Sequence, residues 1–168
     1  HHENEIAQSE GASGQPFVRY WIHGAHLIVE GQKMSKSLGN FYTLRDLLDR
    51  GCDPLALRYL LASVHYRKPL NFTFEGVEQA EAAIRRINDF LLRIREVSPD
   101  APETNEMLER VKTARERFEA SMDDDLNTSA ALAALFELIR EVNPALELGQ
   151  VGGKARQQIL DLFRDANR

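Results

Sequence analysis

The stretch that decides the fold is "VEQAEAAIRRINDFLLRI", residues 77–94. Its apolar side chains recur at steps of three and four, which puts them on one face of an α-helix and makes a seam for a partner helix. The members of this seam are Val77, Ala80, Ile84, Ile87, Leu91 and Ile94. The stretch therefore predicts a long amphipathic helix that packs against other helices.

Three more apolar stripes with helical spacing lie C-terminal to the seam, at residues 108–122, 132–142 and 159–163. The breaks between the stripes are "SPDAPET" (98–104), "DDDLNTS" (123–129) and "GQVGGK" (149–154). We expect Pro144 to close the third helix, because proline breaks helix interiors, and the glycine-rich break to be a flexible hinge. Four amphipathic helices with short connections predict an antiparallel bundle over residues 75–168.

The chain N-terminal to the seam has a different pattern. The run "HLIVE" (26–30) predicts a short buried strand, and residues 66–76 are interpreted as a connector. Thr43 with Asp46 three residues later predicts a helix start, and Asp53-Pro54 predicts another.

One or two strands cannot close a parallel sheet. We therefore interpret residues 1–42 as the end of a larger α/β domain whose beginning lies outside this chain. Residues 43–74 are then connecting helices that lead into the bundle. The predicted fold class is mostly α.

Composition limits the function classes. The chain has 168 residues, a formal net charge of −5 and one cysteine, Cys52, so an internal disulfide is excluded and a reducing compartment such as the cytoplasm is expected. No apolar run approaches the roughly 18 residues that cross a bilayer, so no membrane partner is expected. Positive charge is concentrated in residues 33–68, where seven Lys/Arg face three Asp. That segment is either a docking surface for a polyanion or a solvated face.

The basic segment begins in "VEGQKMSKSLGN", residues 29–40, which we call the lysine loop. Lysines and serines between glycines are typical of two things: an ordinary exposed turn, and a loop that holds phosphate groups. The residue types alone leave both interpretations open.

The wider context carries a family resemblance. "HHENEIAQSE" (1–10), "KMSKSLGNF" (33–41), "DPLALRYLL" (53–61) and "MDDDLNTSAALAALFELIREVN" (122–143) closely resemble, in this order, segments of the cysteinyl-tRNA synthetases, a class I family. "KMSKS" is shared by class I synthetases broadly, and "HHENE" narrows the choice. The resemblance implies the end of a Rossmann-like α/β catalytic domain, then connecting helices that contact the tRNA stem, and then an antiparallel helical bundle that binds tRNA on the side of the anticodon stem. It also implies ATP-dependent attachment of L-cysteine to its tRNA through cysteinyl-adenylate.

By this resemblance, Lys33 and Lys36 are the catalytic lysines. Amino-acid activation displaces pyrophosphate from ATP, and ammonium groups on a mobile loop would stabilise the developing charge. The expected ATP-binding set is Lys33, Met34, Ser35, Lys36 and Ser37, with Mg²⁺ accompanying the ATP. We expect Met34 to anchor the loop by packing.

The resemblance also implies a zinc ion that binds the thiolate of substrate cysteine and so separates it from serine. His1 and Glu5 are four residues apart, hence on one face of a helix, and they match two zinc-ligand positions of the family. The other two ligands would be cysteines upstream, since Cys52 is not at a matching position. The alternative for His1 is a frayed end or the remainder of a purification tag.

The remaining implied partner is the tRNA. Candidate phosphate contacts are Arg45, Arg50, Arg58, Arg67 and Lys68. "HGAH" (23–26) departs from the family's His-x-Gly-His motif because its glycine is second rather than third, so half of the nucleotide site is missing. We therefore expect this chain alone to be inactive. We also expect it to be a monomer. Two alternatives remain: a synthetase-derived ligase that joins cysteine to an amino sugar, and a non-catalytic RNA-binding helical module.

Overall fold

A computed structural model describes residues 2–167. In chain order its elements are α1 (Glu3–Ser13), β1 (Leu27–Val29), β2 (Gln32–Lys33), α2 (Leu44–Asp49), α3 (Pro54–Ala62), β3 (Leu70–Phe72), α4 (Phe74–Glu96), α5 (Asn105–Asp123), α6 (Thr128–Glu147) and α7 (Gly153–Ala166). The mostly helical fold class is confirmed. No helix among the described residues is both long and apolar enough to cross a membrane.

Helices α4 to α7 form the bundle, and side-chain caps mark three of their four starts. The side chains of Thr73, Thr104 and Asn127 accept hydrogen bonds from backbone N–H groups in the first turns of α4, α5 and α6. Such caps satisfy N–H groups that have no partner inside the helix. The caps therefore end each connecting segment at a defined residue.

Cross-helix contacts give the direction of each helix. On α5 and α6, Arg110 donates to the carbonyl of Glu141, and Arg117 pairs with Glu137. The two helices are therefore antiparallel. On α4 and α6, by contrast, Arg86 lies over Phe136 and Arg93 donates to Asn143. These two helices are therefore parallel. On α7, Ala155 donates to Glu103 just before α5, and Asp165 pairs with Arg115 of α5, so α7 runs in the same direction as α5 and the four helices are arranged up-down-up-down.

The bundle has a continuous apolar core to which all four helices contribute. Its least exposed large side chains are Phe90, Ile94, Val111, Leu138, Ile139, Val142, Ile159 and Leu162. Burial of each such side chain contributes about 1.5–3 kcal/mol relative to exposure. The predicted stripes supply most of this core, although Phe90 was not predicted and Val77 and Ala80 of the seam pack in a second apolar cluster.

Two details of the bundle differ from expectation. The prediction that Pro144 closes the third helix is wrong, because α6 continues to Glu147 and buries Ala145. The glycine-rich break is a packed turn, since Gly152 and Gly153 are buried. A Cβ on Gly153 would lie 1.7 Å from the carbonyl oxygen of Pro99, so only glycine fits this approach.

Residues 17–72, which we call the loop-bearing layer, contain the sheet. β1 pairs antiparallel with β2 and parallel with β3, in the order β2-β1-β3. The interpretation of residues 66–76 as a plain connector is wrong, because β3 lies within them and its Phe72 is buried. The predicted strand over 26–30 is confirmed as β1.

The connecting helices begin where the sequence predicts. Thr43 and Asp46 form a reciprocal capping box at α2, and Asp53 caps α3 with Pro54 as its first residue. The first turns of α4 then join a second apolar cluster, made by Val29, Ala56, Leu57, Phe72, Val77 and Ala80. Helix α4 thus links this cluster to the core of the bundle.

Candidate nucleotide-binding loop and its surroundings

The lysine loop leaves the sheet through a tight hairpin. Val29 of β1 pairs with Gln32 of β2, and the two residues between them, Glu30 and Gly31, both have positive φ, of 48° and 75°. Two positive φ values in a two-residue connection match the twist of an antiparallel pair. The Glu30 carboxylate also accepts a hydrogen bond from the backbone N–H of Phe74, at 3.1 Å, so the hairpin is tied to the start of α4.

The two lysines lie on the surface while the residue after the first lysine packs inward. Lys33 is exposed at the end of β2, and Met34 packs against the apolar cluster of the loop-bearing layer. Lys36 is exposed, with its ammonium 5.5 Å from the centre of the Phe41 ring. Met34 directly follows β2 and is half-buried, and since successive side chains of an extended chain point to opposite sides, its inward packing leaves Lys33 facing solvent.

A side chain that the sequence reasoning missed, Asn40, closes the loop. Its carboxamide oxygen accepts from the backbone N–H of Ser35 at 2.8 Å, and its Nδ2 donates to the carbonyl of Lys33 at 3.2 Å. The hydroxyls of Ser35 and Ser37 share a hydrogen bond of 2.7 Å. The signal in the sequence was the Gly39-Asn40 pair, since asparagine often bonds to nearby backbone groups in turns.

The described residues do not make a zinc site. His1 lies outside the described residues, and Glu5 is exposed on α1, 3.6 Å from His2 Nδ1. Among residues 2–167, no group of three or more histidine, cysteine or acidic side chains could hold a metal ion. Glu5 could supply one carboxylate oxygen, which is insufficient for the four-coordinate site that zinc usually takes.

The candidate tRNA-contacting residues divide into two groups. Arg67, Arg58 and Arg50 are engaged within the chain: Arg67 pairs with Asp125, Arg58 donates to Asn167, and Arg50 lies 4.7 Å from the Tyr42 ring centre. Arg45 and Lys68 are exposed. The structure thus assigns three of the five an intramolecular contact.

Asp125 joins the loop-bearing layer to the bundle. Its carboxylate accepts from Arg67 Nε at 2.5 Å and from the Tyr66 hydroxyl at 2.6 Å, and His65 Nε2 lies 3.9 Å away. These hydrogen bonds, from Arg67 first and Tyr66 second, lower the pKa of the Asp125 carboxyl from 3.8 to about 2. Because the partners of Asp125 are about sixty positions away in the sequence, no local sequence pattern predicts this contact.

Comparison with known families accounts for both parts of the chain. Residues 1–82 match the family model described as the tRNA synthetases class I (C) catalytic domain, and residues 117–167 match that of the DALR domain. The Cysteine--tRNA ligase of Brachyspira hyodysenteriae is 48% identical over 99% of this chain. The chain belongs to the cysteinyl-tRNA synthetase family. The resemblance drawn from "HHENE" and "KMSKS" is thereby confirmed.

Other relatives are similar to the same extent but much longer. The Cysteine--tRNA ligase of Protochlamydia amoebophila is 48% identical over 98% of this chain, and that of Solibacter usitatus is 52% identical over 89%. This chain covers 35%, 34% and 32% of the Brachyspira, Protochlamydia and Solibacter proteins. The chain therefore spans about a third of the length of these cysteinyl-tRNA synthetases.

A solved structure supports the fold. The ternary complex of agnB2 LeuRS with tRNA and LeuAMS, from Agrobacterium radiobacter K84, contains a chain that matches with a TM-score of 0.62. The match covers 94% of this chain and 23% of that chain, at 23% sequence identity. At this identity the similarity concerns the fold alone, which is that of a part of a class I synthetase.

Proposed function

We propose that this chain is the lysine-loop and bundle part of an enzyme that uses ATP to attach L-cysteine to tRNA through cysteinyl-adenylate. The observation that carries the proposal is the lysine loop itself. Both ammonium groups lie exposed on a loop whose backbone is closed by Asn40 and anchored by Met34. The high identity to proteins named Cysteine--tRNA ligase supports the choice of amino acid.

The proposed chemistry follows from where charge develops. The carboxylate of cysteine attacks the α-phosphorus of ATP, the bond to the bridging oxygen breaks, and pyrophosphate leaves with the bonding electron pair. Lys33 and Lys36 would stabilise the charge on the leaving pyrophosphate. A hydroxyl of Ser35 or Ser37 and backbone N–H groups of the loop would donate hydrogen bonds to the phosphate oxygens.

Zinc and Mg²⁺ remain predictions. His1 and Glu5 would be two of the zinc ligands, and Mg²⁺ would accompany the triphosphate of ATP. The described residues do not complete a zinc ligand set. We also predict that the chain divides at residues 42/43 and 74/75. A cytoplasmic location and a monomeric state are predicted as well.

For the tRNA, we propose that Arg45, Arg50, Arg58 and Lys68 contact phosphates and that Arg67 mainly ties the loop-bearing layer to Asp125. The partners of Arg50 and Arg58 inside the chain, the Tyr42 ring and the Asn167 amide, are neutral, whereas the partner of Arg67 is a carboxylate. An arginine paired with a carboxylate has less charge to offer a phosphate, because the two groups neutralise each other.

The test is a charging assay on the whole protein that contains this chain. With ATP and a cysteine-accepting tRNA transcript, we expect cysteinyl-tRNA to form and seryl-tRNA to be at background. Formation of a cysteine amide on an amino sugar, with no cysteinyl-tRNA, would contradict the proposal in favour of a synthetase-derived ligase. RNA binding without adenylate formation would favour a non-catalytic module.

A further inference from the structure

The hairpin that carries the lysine loop is held at three points by residues 65–74, which we call the anchoring segment. The side-chain oxygen of Asn71 accepts a hydrogen bond from the backbone N–H of Gly31 at 2.8 Å. The carbonyl of Phe72 accepts from the N–H of Glu30 at 2.9 Å, and the carboxylate of Glu30 accepts from the first residue of α4. The position of the hairpin therefore depends on the position of the anchoring segment.

The anchoring segment also holds the chain where it enters β1. The backbone carbonyl of Tyr66 accepts a hydrogen bond from the N–H of Ala25 at 2.7 Å, two positions before Leu27 begins the strand. β1 itself pairs in parallel with β3, which lies within the anchoring segment. One short piece of chain thus fixes β1 at its beginning, along its length and at the hairpin that follows it.

One carboxylate of the bundle holds the anchoring segment in turn. Asp125 lies in the turn between α5 and α6. Its Oδ2 accepts from Arg67 Nε at 2.5 Å, and its Oδ1 accepts from Arg67 Nη2 at 3.2 Å and from the Tyr66 hydroxyl at 2.6 Å. A bidentate pair of this kind fixes orientation as well as distance. Because Tyr66 also supplies the carbonyl that holds Ala25, a single residue connects Asp125 to the entry of β1.

The residues that meet Asp125 are packed on one another. The His65 and Tyr66 rings are stacked with centroids 4.9 Å apart, and the Arg67 guanidinium carbon lies 5.0 Å from the centre of the Tyr66 ring. The backbone N–H of Arg67 donates to His65 Nδ1 at 3.2 Å. These three residues therefore respond as one unit to a change at Asp125.

The turn that carries Asp125 has an uncommon backbone. Asp125 and Leu126 have positive φ, of 52° and 55°, and neither is glycine. This conformation costs free energy in residues with a Cβ, and it persists where surrounding contacts hold it. Leu126 is 41% exposed, so burial of its side chain does not account for the turn. The hydrogen bonds of Asp125 to the anchoring segment are the contacts that this turn makes possible.

From these observations we propose that Asp125 is a positioning residue for the lysine loop and acts through the anchoring segment. The inference rests on the proposed function, in which the lysine loop stabilises the departing pyrophosphate. Loss of the carboxylate releases Tyr66 and Arg67, and the hairpin then loses part of its support. A catalytic group that is misplaced by about 1 Å loses much of its effect, even when the substitution lies far from the reaction.

Hydrogen exchange, followed by mass spectrometry on the whole protein that contains this chain, tests the anchoring. Asp125→Asn is compared with Glu137→Gln, the matched control, whose carboxylate pairs with Arg117 and Arg140 of the bundle. In peptides covering residues 22–40, amide hydrogens should exchange roughly 3 to 10 times faster in Asp125→Asn and at the wild-type rate in Glu137→Gln. Unchanged exchange in Asp125→Asn, or equal acceleration in both variants, would overturn the proposal.

A double-mutant cycle with Lys36→Ala tests the effect on the reaction. In ATP–pyrophosphate exchange, Asp125→Asn should lower kcat by roughly 3- to 10-fold and leave the KM for cysteine within about twofold of wild type. In the Lys36→Ala background the same substitution should cost less than about twofold, because the contact that it misplaces is already absent. Equal losses in both backgrounds would indicate general destabilisation and would overturn the proposal.

Tyr66→Phe is the second variant, because it removes only the hydroxyl that donates to Asp125. Should Asp125→Asn fold poorly, Tyr66→Phe should accelerate hydrogen exchange of the same peptides by about twofold, and an unchanged rate would overturn the proposal. Wild-type protein without ATP–pyrophosphate exchange, but with hydrogen exchange that responds to Asp125→Asn, would contradict the proposed function and support the positioning of the loop by Asp125.

Discussion

The loop-bearing layer and the bundle are stabilised in different ways. Of fourteen large apolar side chains exposed in the described residues, eleven lie between residues 17 and 61, including Tyr20, Ile22 and Leu44. The bundle buries nearly all of its apolar stripes in one core. The exposed side chains of the loop-bearing layer are therefore held in place by turns and polar contacts, whereas the bundle is stabilised by burial of apolar side chains. Substitutions in the bundle core should therefore mainly lower the free energy of unfolding, and substitutions in the lysine loop should mainly lower the rate of ATP–pyrophosphate exchange.

The largest expected effect is on the stability of the bundle. Ile139 is fully buried in its core, whereas Leu44 is 64% exposed on α2. Ile139→Ala should lower the free energy of unfolding by about 2–5 kcal/mol, because it removes buried methyl groups and leaves a cavity. Leu44→Ala should change it by no more than about 0.5 kcal/mol. Urea denaturation measures both, and equal losses would contradict the comparison.

A smaller effect is expected from the side chain that closes the lysine loop. Asn40→Ala removes hydrogen bonds to Ser35 and Lys33 and should slow ATP–pyrophosphate exchange in the whole protein by roughly 2- to 10-fold, the value of one or two net hydrogen bonds. Asn143→Ala is the matched control in the bundle, where the amide bonds to Arg93. An exchange rate lowered equally by both substitutions would mean that Asn40 acts through general stability.

The smallest effect concerns the contact between the two regions and depends on pH. Because the folded-state pKa of Asp125 is about 2, below the ordinary 3.8, its ionised form stabilises the native state above pH 3.8. The difference in unfolding free energy between wild type and Asp125→Asn should be constant from pH 7 to 5 and should shrink as pH falls from about 4 toward 2. Denaturation at a series of pH values measures it. A difference that grows on acidification would contradict the assigned contact.

Local signals in the sequence predicted much of this structure. The seam of α4 and the caps at Thr43 and Asp53 depend on residues within a few positions of each other, and each was located correctly. Two exceptions lie in the bundle: Pro144, which lies inside α6 next to the buried Ala145, and the glycine-rich break, which is a packed turn. Tertiary packing overrides local propensity at such positions.

The missed features depend on distant partners. β3 was taken for a connector because its strand is only three residues long and pairs with β1, about forty positions earlier. The ion pair of Arg67 was not predicted, because its carboxylate partner, Asp125, is 58 positions away. Within the candidate site, the lysines and the packing role of Met34 were recognisable from the motif, but the role of Asn40 needed the backbone geometry.

The most direct test of the central claim is the effect of Lys36→Ala on ATP–pyrophosphate exchange in the whole protein. If this ammonium stabilises the departing pyrophosphate, the rate should fall by about 10²–10³-fold, the usual effect of removing one such electrostatic contact. Lys112→Ala is the control, since Lys112 is an exposed lysine on α5 in the bundle, and its rate should match wild type. A Lys36→Ala rate within about twofold of wild type would contradict the role that we assign to the lysine loop.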